Sequence, residues 1–119
     1  MLIKNKKSLK FILWDFGGVL TNSPIKNFYE YEKKNNIPIN SIIKINSMNK
    51  FENAWAKAEK GLINKKEFIK LFHQESKKIG INNINPNAVL DCLDLNINYK
   101  MIDLLIKLKK QYGCACLTN

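Results

Sequence analysis

The residues best suited to chemistry stand in "FILWDFGGVLTNSP", residues 11–24, where four bulky apolar residues lead into Asp15, with Gly17 and Gly18 close behind. A carboxylate at the end of an apolar strand is placed to attack an electrophilic centre or to hold a metal ion. Two glycines just beyond it let the backbone turn tightly and bring its N–H groups close to a bound anion. Near the other end, "CACLTN" runs through apolar residues into Thr118 and Asn119, which offer further donors. An aspartate after a strand is in itself an ordinary turn-capping residue. The glycines beside it and the second polar strand end favour chemistry.

Positioning these residues requires two strands. "FILW" reads as a short, fully apolar strand, the kind buried on both faces of a parallel sheet, and "CACL" reads the same way. Everything between them reads as helix. Ser23 with Pro24 opens "PIKNFYEYEKKNN", and two short helices follow in "INSIIKINSMNKFENAWAKAEKG", stopped by Gly61. Asn64 with Glu67 resembles a capping box opening a helix that Gly80 closes, and Asn85-Pro86 starts another that runs to Leu93. Asn98 caps "YKMIDLLIKLKKQY", whose Met101, Leu105, Leu108 and Tyr112 share one face, with Gly113 as its stop. A helix between two buried strands predicts a parallel pair joined by a crossover, so both strands end on one edge of the sheet. Ligands of open α/β sheets bind outside that edge, and Asp15 and Thr118 both fall there.

Composition narrows the function classes. At 119 residues, with 45% apolar residues, the chain suits one small globular domain. No apolar run approaches the roughly 18 residues of a membrane span. The lysines of "MLIKNKKSLKFILW" precede only four apolar residues with no small-residue cleavage site, so a soluble, cytoplasmic protein is expected. The net charge of +10 comes entirely from lysine; the chain has no arginine. Base reading leans on the bidentate arginine fork, and the lysines are scattered, so no sequence-specific nucleic-acid binding is expected. Such a field draws small phosphorylated molecules as well. Cys92, Cys114 and Cys116 form no C-x-x-C pair and read as small packed residues, and His73 reads as a helix residue rather than a ligand. Asp91, Asp94 and Asp103 read as solvated helix carboxylates.

With those residues in place, "FILWDFGGVLTNSP" resembles the first motif of the haloacid dehalogenase (HAD) superfamily, an apolar strand ending in D-x-x-G-[T/V]. "CACLTN" resembles the second, an apolar strand ending in Ser or Thr. "NAWAKAEKGLINKKEF" between them is similar to the helical cap of the subfamily whose first motif reads D-x-G-x-V-[L/I], which includes sugar-phosphate phosphatases. The resemblance implies an α/β fold: the N-terminal part of a HAD-like, Rossmann-type core with two parallel strands, residues 1–22 and 97–119, and a large helical cap insert, residues 23–96. It implies Mg²⁺-dependent hydrolysis of phosphate monoesters, with Asp15 as a nucleophile that becomes an aspartyl-phosphate. Mg²⁺ would be held by the Asp15 carboxylate and the Gly17 carbonyl, and the phosphoryl oxygens by the backbone around Phe16, Gly17 and Gly18 with Thr118 and Asn119. Phe51 and Trp55 would line the cap.

The sequence departs from the family pattern in two ways. Gly17 stands where most of its phosphatases carry a second aspartate as acid/base, a group worth about 10²–10⁴ in rate. Glycine there is typical of the resembling subfamily. The third-motif lysine and fourth-motif acids have no counterpart, because every lysine precedes Thr118. The chain is therefore expected to be inactive alone, as part of a longer protein or one needing a complementing chain. The alternatives are a non-catalytic HAD-like binding or interaction module and, on charge alone, a lysine-rich nucleic-acid binder.

Overall fold

Phe11–Asp15 forms β1 and Gly113–Leu117 forms β2, and the two pair in parallel. In the computed structural model, residues 8–118 are described. Six helices lie between the strands: α1 (Pro24–Lys34), α2 (Ser41–Ser47), α3 (Ala54–Glu59), α4 (Lys65–Lys78), α5 (Pro86–Asp91) and α6 (Tyr99–Leu108). The chain divides into two units: residues 8–22 with 96–118 contain both strands and α6, and residues 23–95 contain the other five helices. It is a small α/β fold. No helix among the described residues is long and apolar enough to cross a membrane.

Local chemistry explains where the helices start. Ser23 accepts the Ile25 N–H ahead of Pro24, and Asn53, Asn85 and Asn98 each accept an N–H of the first turn that follows them. Asn64 and Glu67 form a reciprocal capping box on α4. The helical unit closes on its own core. Phe28, Ile42, Ile45, Phe68, Phe72 and Val89 are buried together, and Phe68 stacks on Phe72 with ring centroids 5.5 Å apart.

In the strand unit, β1 and β2 are in register from Phe11↔Gly113 to Asp15↔Leu117. Side chains alternate across a strand, so Phe11, Leu13 and Asp15 share a face with Gly113, Ala115 and Leu117. The fully apolar pattern of "FILW" predicts burial on both faces, and here the structure differs. Trp14 is 7% exposed, whereas Phe11 and Leu13 are 72% and 64% exposed. Two strands and one helix leave the second face without a covering layer among the described residues. Gly113 also differs from expectation. It does not stop α6, which ends at Leu108, but opens β2, its N–H donating to the Lys10 carbonyl at 2.9 Å. A Cβ there would overlap the Phe11 ring.

Candidate functional site

Asp15 is the last residue of β1, exposed, and paired across the sheet with Leu117. Thr118 follows Leu117 directly and is exposed at the same edge. Asn119, expected to join the site, lies outside the described residues. The parallel pairing thus brings Asp15 and Thr118 to the carboxyl ends of neighbouring strands.

The turn after Asp15 is tightly bonded within itself. The N–H groups of Val19, Leu20 and Thr21 converge on the Phe16 carbonyl at 3.3, 2.9 and 3.3 Å. In a trans peptide the carbonyl and the following N–H point in opposite directions, and no cis bond is present among the described residues. The inward Phe16 carbonyl therefore turns the Gly17 N–H the opposite way, out of the turn. Gly18 adopts φ +78°, a conformation glycine reaches without steric penalty.

Of the three N–H groups expected to receive an anion, two already have partners. Phe16 donates to Asp15 Oδ1 at 2.8 Å, and Gly18 donates to Thr21 Oγ1 at 3.1 Å. No described residue accepts from Gly17 or engages the second Asp15 oxygen. The turn therefore offers the Gly17 amide as a donor and, among its side chains, one Asp15 carboxylate oxygen as an acceptor.

Thr21, which the sequence places in the motif without a role of its own, bonds into this turn. It is 5% exposed, and its hydroxyl also donates to the Asn22 carbonyl at 3.2 Å. The available signal was a hydroxyl three residues beyond a glycine turn, where side-chain-to-backbone bonds are common. Its backbone forms an isolated antiparallel bridge with Ile97. Beside that bridge, Asn22 N–H donates to the Asn96 carbonyl at 2.9 Å and Asn98 N–H to the Leu20 carbonyl at 2.8 Å. Asn96 N–H donates to Asn22 Oδ1 at 2.8 Å.

Phe51 and Trp55 belong to the helical unit. Trp55 is half-buried, meets Phe28 edge-on with centroids 5.9 Å apart, and donates from Nε1 to Glu59 Oε1 at 3.0 Å. It also walls a recess of about 160 Å³ with Ala58, Phe68, Leu90 and Leu93. Phe51 is 69% exposed, with the Lys50 ammonium 5.2 Å from its ring centroid.

His73 is half-buried on α4, and Asp91, Asp94 and Asp103 are exposed. Burial, followed by the nearby Asp91 and Glu32 carboxylates, pushes the Cys92 thiol above its ordinary value, which keeps it protonated and unreactive. Among the described residues no three His, Cys, Asp or Glu side chains gather as a metal cluster. One carboxylate beside a backbone carbonyl still fits Mg²⁺, which commonly takes one or two carboxylates and fills its shell with waters and substrate phosphate. No family model matches the chain, and no curated protein matches it.

Proposed function

We propose that the chain is a HAD-like α/β core with a helical cap, whose Asp15 is the nucleophile of a phosphate monoester hydrolase acting on a small phosphorylated metabolite. The observation that carries this reading is the parallel register of β1 and β2, which sets Asp15 and Thr118 at one sheet edge beside the glycine turn. An Asp15 oxygen attacks phosphorus, the bond to the leaving oxygen breaks, and that oxygen takes a proton from solvent water as the alcohol departs. Water then attacks the phosphorus of the aspartyl-phosphate, releasing inorganic phosphate and restoring the carboxylate. The Gly17 N–H and the Thr118 hydroxyl receive phosphoryl oxygens on which charge develops. Mg²⁺, held by the Asp15 carboxylate and the Gly17 carbonyl, would offset the repulsion between carboxylate and phosphate. The lysine and further acids that complete this chemistry in the family have no counterpart in these residues, so the proposal includes a complementing segment or chain.

The test is a titration of the isotope-labelled chain with inorganic phosphate and Mg²⁺, followed at the Gly17 amide. A saturable shift that needs Mg²⁺, and loses that need in Asp15→Asn, is expected. An unmoved Gly17 amide refutes the reading. A second reading, a non-catalytic HAD-like interaction module, is favoured by the apolar face carrying Phe11, Leu13 and Leu117, the last 65% exposed. Identical titrations for wild type and Asp15→Asn would turn the choice to it.

A further inference from the structure

We infer that Thr21 is a positioning residue for the anion site, the group that fixes the direction of the Gly17 N–H. The inference rests on the phosphate reading above and adds to it a residue that neither touches the substrate nor belongs to the motif residues assigned there.

Thr21 is the one buried polar residue among the described residues of the strand unit. Its hydroxyl works in both directions, accepting the Gly18 N–H at 3.1 Å and donating to the Asn22 carbonyl at 3.2 Å. The donated bond fixes the hydroxyl proton, which leaves the oxygen lone pairs facing Gly18. Thr21 is itself anchored: its backbone bridges Ile97, and the flanking Leu20 carbonyl and Asn22 N–H bond Asn98 and Asn96. The Thr21 side chain thus ties the exposed glycine turn to a braced pair of segments.

The consequence for the site is geometric. Glycine at φ +78° gains no preference for that region from its own sterics, so the turn needs an external bond to hold it there. Accepting the Gly18 N–H supplies that bond. With Gly18 held, the Phe16 carbonyl remains under the three N–H groups that converge on it, and the Gly17 N–H remains outward. Without the hydroxyl, the Gly18 N–H loses its acceptor and the Gly17 amide samples other directions. Misdirecting a donor by a fraction of its bond length is enough to weaken an electrostatic site severely.

The test compares Thr21→Val, which keeps the shape and loses both bonds, with Thr21→Ser, which keeps the hydroxyl, in the full chain. Amide exchange at Gly18 reads the turn, inorganic phosphate with Mg²⁺ at the Gly17 amide reads the site, and the Phe68 and Phe72 amides report folding. Thr21→Val is expected to speed Gly18 exchange and weaken phosphate binding each about tenfold, with Phe68 and Phe72 unchanged and Thr21→Ser within about threefold of wild type. Phosphate binding to Thr21→Val as tight as to wild type, or Thr21→Ser as weak as Thr21→Val, overturns the inference and leaves the phosphate reading standing. Unchanged Gly18 exchange in Thr21→Val overturns it as well. A wild-type Gly17 amide that ignores phosphate, with Gly18 exchange still faster in Thr21→Val, ends the phosphate reading while supporting the hold of Thr21 on the turn.

Discussion

Glu32 of α1 accepts the Ile42 N–H of α2 at 2.8 Å, and its other carboxylate oxygen accepts the Asn40 N–H at 2.8 Å. Asn40, the residue that opens α2, has φ +71° and gives the helix no side-chain cap. A carboxylate ten residues back, fully buried, does that work instead and meets the positive end of the helix. Glu32→Ala removes both acceptors and leaves two N–H groups without partners, an expected loss on the order of 3 kcal/mol. Glu32→Gln keeps one acceptor and should lose less. The measurement is the urea midpoint followed by helical signal, and an unchanged midpoint for Glu32→Ala would contradict this account.

Glu75 gives the fold a pH dependence. Its Oε1 accepts the Ala54 N–H at 2.8 Å, while Oε2 is buried without a partner. Desolvation pushes the Glu75 carboxyl above the ordinary value of 4.5, opposed by the Ala54 N–H and the charges of Lys78 and Lys57. The folded state therefore keeps a proton that the unfolded chain has released. Between 4.5 and the raised folded value, the unfolded state binds fewer protons, so this group makes stability fall as pH rises. Glu75→Gln, neutral throughout, should match wild type below the window and exceed it at neutral pH. Paired urea melts across the range check this, and a Gln advantage that shrinks as pH rises would reverse the sign.

The two site glycines should respond differently to alanine. Gly18 has φ +78°, so a side chain there is strained although nothing blocks it. Gly18→Ala should cost about 1–2 kcal/mol. Gly17 has open space and no positive φ, and Gly17→Ala should stay within about 0.5 kcal/mol of wild type. Equal losses in a denaturation series would mean that the Gly18 backbone is not what shapes the turn.

What the sequence made legible was local. The caps at Ser23, Asn64, Asn85 and Asn98 depend on residues within three positions of one another, and the structure has all four. A strand at 11–15, a second one at 114–118 and their parallel pairing followed from two apolar runs separated by helix, and the structure has both, with the second at Gly113–Leu117. The exposure of Phe11 and Leu13 was not legible, because burial depends on how many layers the fold stacks on a strand. Glu32 looked like one more charge on a lysine-rich helix, since its partners lie eight and ten residues away. Gly113 looked like a helix stop because glycine commonly ends helices; its proximity to Phe11 depends on strand register, a long-range property. Thr21 stood inside the quoted motif, but its bond to Gly18 appears only once the turn is closed.

The last prediction concerns turnover by the 119-residue chain. A phosphate monoester approaching Asp15 brings two negative charges against a third. Of the three turn amides that could answer them, Phe16 donates to the Asp15 carboxylate itself and Gly18 to Thr21. One carboxylate among the described residues at this edge makes a thin metal shell, and no metal cluster of three such ligands exists among them. Gly17 brings no acid to protonate the leaving oxygen, a loss of about 10²–10⁴ in rate where such a group operates. Close charges in a partly dry site cost several kcal/mol when nothing offsets them. The purified chain with Mg²⁺ should therefore hydrolyse a simple aryl phosphate no faster than its Asp15→Asn variant, even where phosphate binding at the Gly17 amide is measurable. When a segment supplying a lysine and paired acids is added, turnover should appear, need Mg²⁺, and vanish in Asp15→Asn. Mg²⁺-dependent turnover by the chain alone, lost in the variant, would show that Asp15 and this turn suffice.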